Sequence, residues 1–326
     1  MSFYLELGGV MERGWVRDVI NKFSVATVDE LDISGALELK VLNMPSSLYK
    51  IRACGEYAFN NLRNKTLYLS VASGFNDPYD AAFWGSYEPV ILEQVTNKFE
   101  FSDADIKEVL GAPDCLRRAY ELAIEKGKLE LDADGGIESY VRYGVEKSRQ
   151  FQSEQLKWLV EKLQSSYKIC SLSERLDSVV MWGHYGQNHT GFAMEYNYTR
   201  LHRNDVSTFS LWPVAYSKSL FDVTSIFVAQ RRFGDKFNNL FTIAAALCKA
   251  EDWRYEREWR LVVPDGDETK GINLRAPLKA VHLGARISPE HEAEILKICA
   301  EINVPVFKMK LAPHEYRMIS EPLGTT

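Results

Sequence analysis

Three stretches of this chain concentrate residue types that bind anions, move protons or stack on a ring. In the run Tyr255-Glu256-Arg257-Glu258-Trp259-Arg260, acids alternate with cations just ahead of the apolar strand signal Leu261-Val262-Val263. Strand alternation would send Glu256, Glu258 and Arg260 to one side and Arg257 and Trp259 to the other. Two carboxylates on one face repel unless a cation lies between them, and Arg260 or Arg52 are the candidates to supply it. Such a run is either a Glu–Arg ladder that fastens the strand or a carboxylate pair that faces a pocket.

The segment Met181-Trp182-Gly183-His184-Tyr185-Gly186-Gln187-Asn188-His189 packs two imidazoles, an indole, a phenol and two glycines into nine positions. On a helix, Met181 and Tyr185 lie one turn apart, as do Trp182 and Gly186. His184 and His189 are five apart, which misses the i, i+4 pairing of a helical metal site. They therefore read as supports rather than ligands, and no metal is expected. The competing reading makes Trp182 and Tyr185 core residues and His189 a helix cap. The third stretch, Phe75-Asn76-Asp77-Pro78-Tyr79-Asp80, is either a rigid surface turn or a ligand-contacting loop in which Asn76 and Asp77 take part. A weaker signal, Ser171-Leu172-Ser173, offers two hydroxyls at the end of a strand, where Ser173 could equally begin a helix. No phosphate-binding G-x-x-x-x-G-K-[ST] loop, H-E-x-x-H helix or G-x-S-x-G elbow occurs.

The elements that must position these residues follow from periodicity. Trp15, Val19, Ile20 and Phe23 recur at helical spacing, and Leu37, Leu39 and Val41 alternate with Glu38 and Lys40 as a half-buried strand would. Residues 1–46 are thus expected to form an extension of one helix and one extended segment. A single α+β domain is expected to follow over 47–326, with strands at 48–52 and 66–70 and a helix at 56–64. The span 103–166 reads as a helical insertion, broken at Asp132–Gly136. Beyond it come a strand at 167–172, a helix at about 178–187 and a strand at 190–196. The remainder predicts one strand over 212–217, one long helix over 221–248, strands at 258–264 and 279–284, a helix at 289–302 and two final strands. Strands mixed with helices without regular βαβ alternation favour a mixed, largely antiparallel sheet over a doubly wound one.

Bulk properties narrow the function classes. Of 326 residues, 46% are apolar and 12% aromatic, enough for a large core and against disorder. With 39 basic against 45 acidic residues the net charge is −6, so no whole-chain field advertises nucleic-acid binding. Five scattered cysteines without C-x-x-C spacing read as thiols in a reducing cytoplasm. Residues 1–7 do not read as a secretory signal, and no window is apolar enough for a membrane helix.

Four motifs in order, Leu48-Tyr49-Lys50-x-Arg52, Phe75-Asn76-Asp77-Pro78-x-Asp80, Met181-Trp182-x-His184-Tyr185-x-x-x-His189-x-Gly191-Phe192 and Tyr255-Glu256-x-Glu258-Trp259-Arg260, resemble a bacterial family of unknown function. More distantly, Arg52, Ser171-Leu172-Ser173 and Glu256-Arg257-Glu258 resemble the arginine class of ADP-ribosyltransferases. That likeness implies split sheets and NAD as substrate, in a toxin or phage-defence effector. It gives Arg52 the dinucleotide diphosphate and Ser171 or Ser173 the ribose or a carboxylate. Tyr185 or Trp182 would stack on nicotinamide, and Glu258, the second acid, would face the oxocarbenium-like centre. The stretch from Arg52 to Ser171 is longer than that class's usual gap, which requires 103–166 to be an insertion. Two other functions compete: a metal-dependent nucleic-acid-processing enzyme using Asp77, Asp80, His184 and His189, and a non-catalytic module whose charged runs are salt bridges. The protein or nucleic-acid acceptor and the oligomeric state are left open.

Overall fold

A computed structural model describes residues 13–130, 136–202, 205–265 and 270–323. The N-terminal segment 1–7 and most of the break read at 132–136 lie outside the described residues. Helices α1 (Gly14–Phe23) and α2 (Ile33–Asn43) lead into β1 (Leu48–Arg52), α3 (Glu56–Asn64), β2 (Thr66–Val71) and the short β3 (Phe83–Trp84). A helical block follows: α4 (Glu88–Lys98), α5 (Asp103–Leu110), α6 (Cys115–Glu125), α7 (Gly136–Gln150), a π-helical turn at Phe151–Leu156, and α8 (Lys157–Ser166). Next come β4 (Tyr167–Ser173), α9 (Val179–His184), β5 (Phe192–Tyr196), α10 (Val206–Ser210), β6 (Leu211–Pro213), β7 (Ala215–Ser217) and β8 (Phe221–Asp222). The chain continues through α11 (Thr224–Phe233), α12 (Phe241–Ala246), β9 (Cys248–Ala250), β10 (Glu258–Pro264), β11 (Ile272–Arg275) and β12 (Leu278–Leu283). It closes with α13 (Pro289–Ile302), β13 (Val306–Leu311) and β14 (Met318–Pro322).

The fold is α+β, as the pattern of elements predicted. The main sheet has ten strands in the order β11-β2-β4-β1-β5-β12-β13-β14, and β10 joins the free side of β4 and carries β6 in turn. All its pairings are antiparallel except β12 with β13. One face of the sheet packs Leu48, Cys170, Leu172, Phe192, Trp259 and Leu261 against α3 and α13. The opposite face packs Ile169, Val262 and Trp212 against α1, α8, α11 and α12.

The N-terminal extended segment is a helix instead. Asp32 caps α2 by accepting from the Gly35 N–H at 2.8 Å, and the residues it buries are Ala36 and Lys40, one helical turn apart. The alternation of Leu37, Leu39 and Val41 does not set the structure, because Val41 points to solvent. The long helix expected over 221–248 is broken twice. Gly234 ends α11 in the left-handed region, and fully buried Asn238 donates to the carbonyls of Phe23 and Val25 while accepting from the Leu240 N–H. The single strand at 212–217 is shared between sheets: β6 pairs with β10, the Val214 N–H bonds the Glu258 carbonyl at 3.0 Å, and β7 then pairs with β9. That crossing brings β9 beside the start of β10.

Lys40 is fully buried, with its ammonium 3.8 Å from the Trp212 ring centroid and 2.8 Å from the Thr208 carbonyl. Burial lowers its pKa to about 7, below its value in the unfolded chain. Between about pH 7 and 10 the unfolded state therefore binds more protons, and the fold should gain stability as pH rises. Urea titrations at several pH values should show that rise in the native chain and its loss in Lys40→Met.

Candidate functional site

Strand β4 is where the sheet splits. At its start it pairs with β2 (Ser70 with Ile169, Val71 with Lys168), and at its end with β1 (Tyr49 with Ser173). Between those registers the two neighbours diverge, and a cleft of about 500 Å³ opens at the gap. Its walls include Tyr49, Lys50, Tyr68, Asn76, Asp80, Ser171, Ser173, His184, Tyr185, Lys249, Glu256 and Glu258.

The base of the cleft is a buried ion cluster. The Lys249 ammonium lies 2.7 Å from a Glu256 oxygen and 2.8 Å from a Glu258 oxygen. Arg260 donates to the other Glu258 oxygen at 2.7 Å, to the Ala246 carbonyl at 2.7 Å and to Asp80. Glu256 lies at the end of a 3-10 turn, and Arg257 steps into β10 with φ of 46°, the left-handed region. That step, costly for a side chain with a Cβ, lets both acids meet one lysine. Ser173 secures it by donating to the Glu256 carbonyl at 2.5 Å, and the Tyr216 hydroxyl accepts from the Glu258 N–H at 2.7 Å.

The two acids are driven in opposite directions. Burial raises both, but around Glu258 the charges and hydrogen bonds of Arg260 and Lys249 outweigh it, and the carboxyl stays well below the usual range. For Glu256 burial dominates, assisted by the nearby Glu258 charge, and its pKa is raised. The Tyr185 hydroxyl donates to the remaining Glu256 oxygen at 2.6 Å, and burial together with that bond raises the phenol as well. Asp80 is also raised, by burial first, with Arg260 opposing. With all groups ionised, three acids face two bases and the cluster carries one excess negative charge. Acids whose pKa values are pushed apart in one cleft suit division between proton transfer and charge stabilisation.

The cleft gathers Tyr185, His184, Ser171, Ser173, Asn76, Glu256 and Glu258. Arg52 is not among its lining residues. Its backbone pairs with Phe192, a residue of the α3 face, and its guanidinium donates to Asn61 of α3 at 3.0 Å. A one-residue step along a strand reverses the face, so Ile51 packs toward Met181 and α9 while Arg52 points the other way. The cation between the acids is Lys249, with Arg260 behind. Trp182 is fully buried with its indole N–H on the Leu176 carbonyl at 2.8 Å, so it is core and no stacking wall. Asp77 lies off the cleft and closes an Asx turn by accepting from the Tyr79 N–H at 2.9 Å. Among the described residues no group of three or more His, Cys, Asp or Glu is arranged to hold a metal ion, and no helix is long and apolar enough to cross a membrane.

Lys249 and Lys50 are the residues whose roles the sequence did not disclose. Lys249 follows the apolar stretch Ala244–Cys248, a context in which a lysine has to find a buried partner. Lys50 donates to the Ser171 carbonyl at 2.9 Å across the gap.

A family model described as a protein of unknown function (DUF2971) matches residues 181–261, from α9 to the ion cluster on β10. The likeness to a family of unknown function thus covers Tyr185, Lys249, Glu256, Glu258 and Arg260, while the motifs around Arg52 and Asn76 lie outside it. No curated protein and no solved structure matches the chain.

Replacing Glu258 by Gln removes the carboxylate that Lys249 and Arg260 share, leaving each with one acid, and should cost about 3–5 kcal/mol. Glu256→Gln, at a group that meets one cation rather than two, should cost clearly less. Urea denaturation at pH 7 of both variants against the native chain measures the difference.

Proposed function

We propose that the cleft is an active site for breaking an N-glycosidic bond to a cationic leaving group, in transfer or hydrolysis, with NAD the first substrate to test. The observation that carries this reading is the Glu256–Lys249–Glu258 bridge beneath Tyr185, where one acid is held ionised and the other is raised. An excess negative charge at the base of a cleft favours a cationic ring such as nicotinamide in its ribosylated form, and it favours the oxocarbenium-like centre left behind when that ring departs. The volume accommodates a nicotinamide riboside. The Ser171 and Ser173 wall supports the part of the ADP-ribosyltransferase likeness that involves Ser-x-Ser and Glu-x-Glu. Arg52 has no part in it, and Lys50 is the cation available to a diphosphate.

In this scheme the bond between ribose C1′ and the ring nitrogen breaks, and nicotinamide leaves as a neutral molecule. Glu258 stabilises the developing positive charge. Water or an acceptor hydroxyl then attacks C1′, and its proton passes through the Tyr185 hydroxyl to Glu256. A role in killing or defence fits an NAD-consuming reaction and rests on it entirely. The purely structural reading, in which the acids only fasten β10, is favoured by one fact: both oxygens of Glu258 are already engaged by Lys249 and Arg260. It would leave Tyr185 and Glu256 without chemistry.

Purified protein incubated with NAD should release nicotinamide, followed by chromatography. Tyr185→Phe, which leaves the ion cluster in place, should lower the rate at least tenfold, and Lys50→Ala should raise KM more than it lowers kcat. A folded protein that neither binds NAD in calorimetry nor releases nicotinamide would exclude the reading.

A further inference from the structure

On the same face of the sheet but outside the cleft, three side chains form a relay. The His282 ring on β12 lies with Nε2 3.0 Å from a Glu195 oxygen on β5 and Nδ1 2.8 Å from the Ser320 hydroxyl on β14. His282 and Glu195 are buried, whereas Ser320 is exposed. The ring is fixed by stacking on Phe307 at 5.1 Å and by an edge contact with Tyr49 at 5.8 Å. Burial raises the Glu195 pKa, but hydrogen bonds from His282, Lys279 and Ser47 outweigh it and hold the carboxyl at about 2.

That charge decides the tautomer. An ionised carboxylate only accepts, so Nε2 carries the proton, and in the neutral ring Nδ1 is left as the acceptor. The Ser320 hydroxyl must then donate to it, the arrangement that makes a serine nucleophilic. The backbone supplies a second element. β14 ends the sheet, and the bonds Ala312 N–H to Arg317 and Leu323 N–H to Val306 set its ladder so that odd-numbered residues bond β13. The Met318 N–H accordingly points outward and meets the Asp177 carbonyl at 2.8 Å. The next outward N–H is that of Ser320, at the open edge beside its own hydroxyl, where it can donate to an oxyanion.

We propose that Ser320, His282 and Glu195 form a second catalytic site, one that cleaves activated acyl esters at the open edge of β14. The Ser320 oxygen bonds the acyl carbon and its proton passes to His282 Nδ1. The bond to the alcohol breaks and the leaving oxygen takes that proton. Water then attacks the acyl-serine, gives a proton to His282, and frees the acid as Ser320 recovers the proton. Glu195 is a positioning residue that acts through the ring. This site is independent of the NAD reading.

The test is covalent labelling of the full-length protein with an alkyl fluorophosphonate, mapped by peptide mass spectrometry, alongside hydrolysis of p-nitrophenyl acetate. One label at Ser320 is expected, with labelling and hydrolysis both lost at least tenfold in Ser320→Ala, a surface change that leaves packing intact. His282→Asn should abolish labelling with the fold verified by circular dichroism. Glu195→Gln should reduce it and Glu195→Asp restore part of it, a rescue that a merely structural latch would not produce. No label at Ser320 in the folded chain, or hydrolysis unchanged in Ser320→Ala, overturns the proposal.

Discussion

A single ammonium between two carboxylates organises the centre of this protein. Lys249 bridges Glu256 and Glu258, and Arg260 bridges Glu258 and Asp80, so four chain segments meet at one buried set of charges. Such a cluster holds only when every member is present, because each desolvated charge is costly and only its partners offset the cost. The local backbone is subordinate to it. The Val214 crossing sets β9 against β10, the left-handed Arg257 turns Glu256 inward, and the Ser173 and Tyr216 hydroxyls bond the backbone on either side.

The split of the sheet gives this cluster an outlet. Where β1 and β2 part along β4, the backbone edge at residues 170–172 turns from a ladder into a cleft wall, and the acids lie at its base. A buried ion cluster away from any opening would be structural alone. One that borders a cavity projects its field into it, and low-dielectric walls strengthen that field. The opposite pKa directions of Glu256 and Glu258 follow from the same placement. Glu258 touches two cations and Glu256 one, so burial prevails only at Glu256.

Backbone strain gathers beside the cleft as well. Gln187, Asn188 and His189 take positive φ in succession just after α9, and the His189 Nδ1 is buried without a hydrogen-bond partner. A left-handed run of three side-chain-bearing residues is unfavourable and needs its surroundings to hold it. The bonds from the Asn188 and His189 N–H groups to the carbonyls of Gly183 and Trp182 do so, and the Gly191 N–H on the Gly186 carbonyl closes the turn. Gly186 and Gly191 are explained by close approach: a Cβ on Gly186 would lie 2.8 Å from the Trp182 carbonyl oxygen, and one on Gly191 2.2 Å from the Arg52 carbonyl oxygen. Trp182 in the core lies on α9 and Tyr185 on the cleft caps it, a short helix tied down at both ends.

The sequence alone determined the α+β class, the strand at 48–52, the helices at 56–64 and 289–302, and the segments that form most of the cleft, because these depend on short-range periodicity and local residue types. It also identified Glu256 and Glu258 as a pair in need of a cation. Tertiary structure decided which cation, since Lys249 reaches them only after β6 and β7 cross between sheets. It also decided the face of Arg52, because strand alternation states which residues share a side but not which side meets the cleft. The N-terminal strand signal failed for a related reason: Leu37, Leu39 and Val41 fit a period of two, but the cap at Asp32 and the burial of Ala36 and Lys40 favour a helix. Which residues of a pattern are buried depends on what packs against them, and that is set by the whole chain.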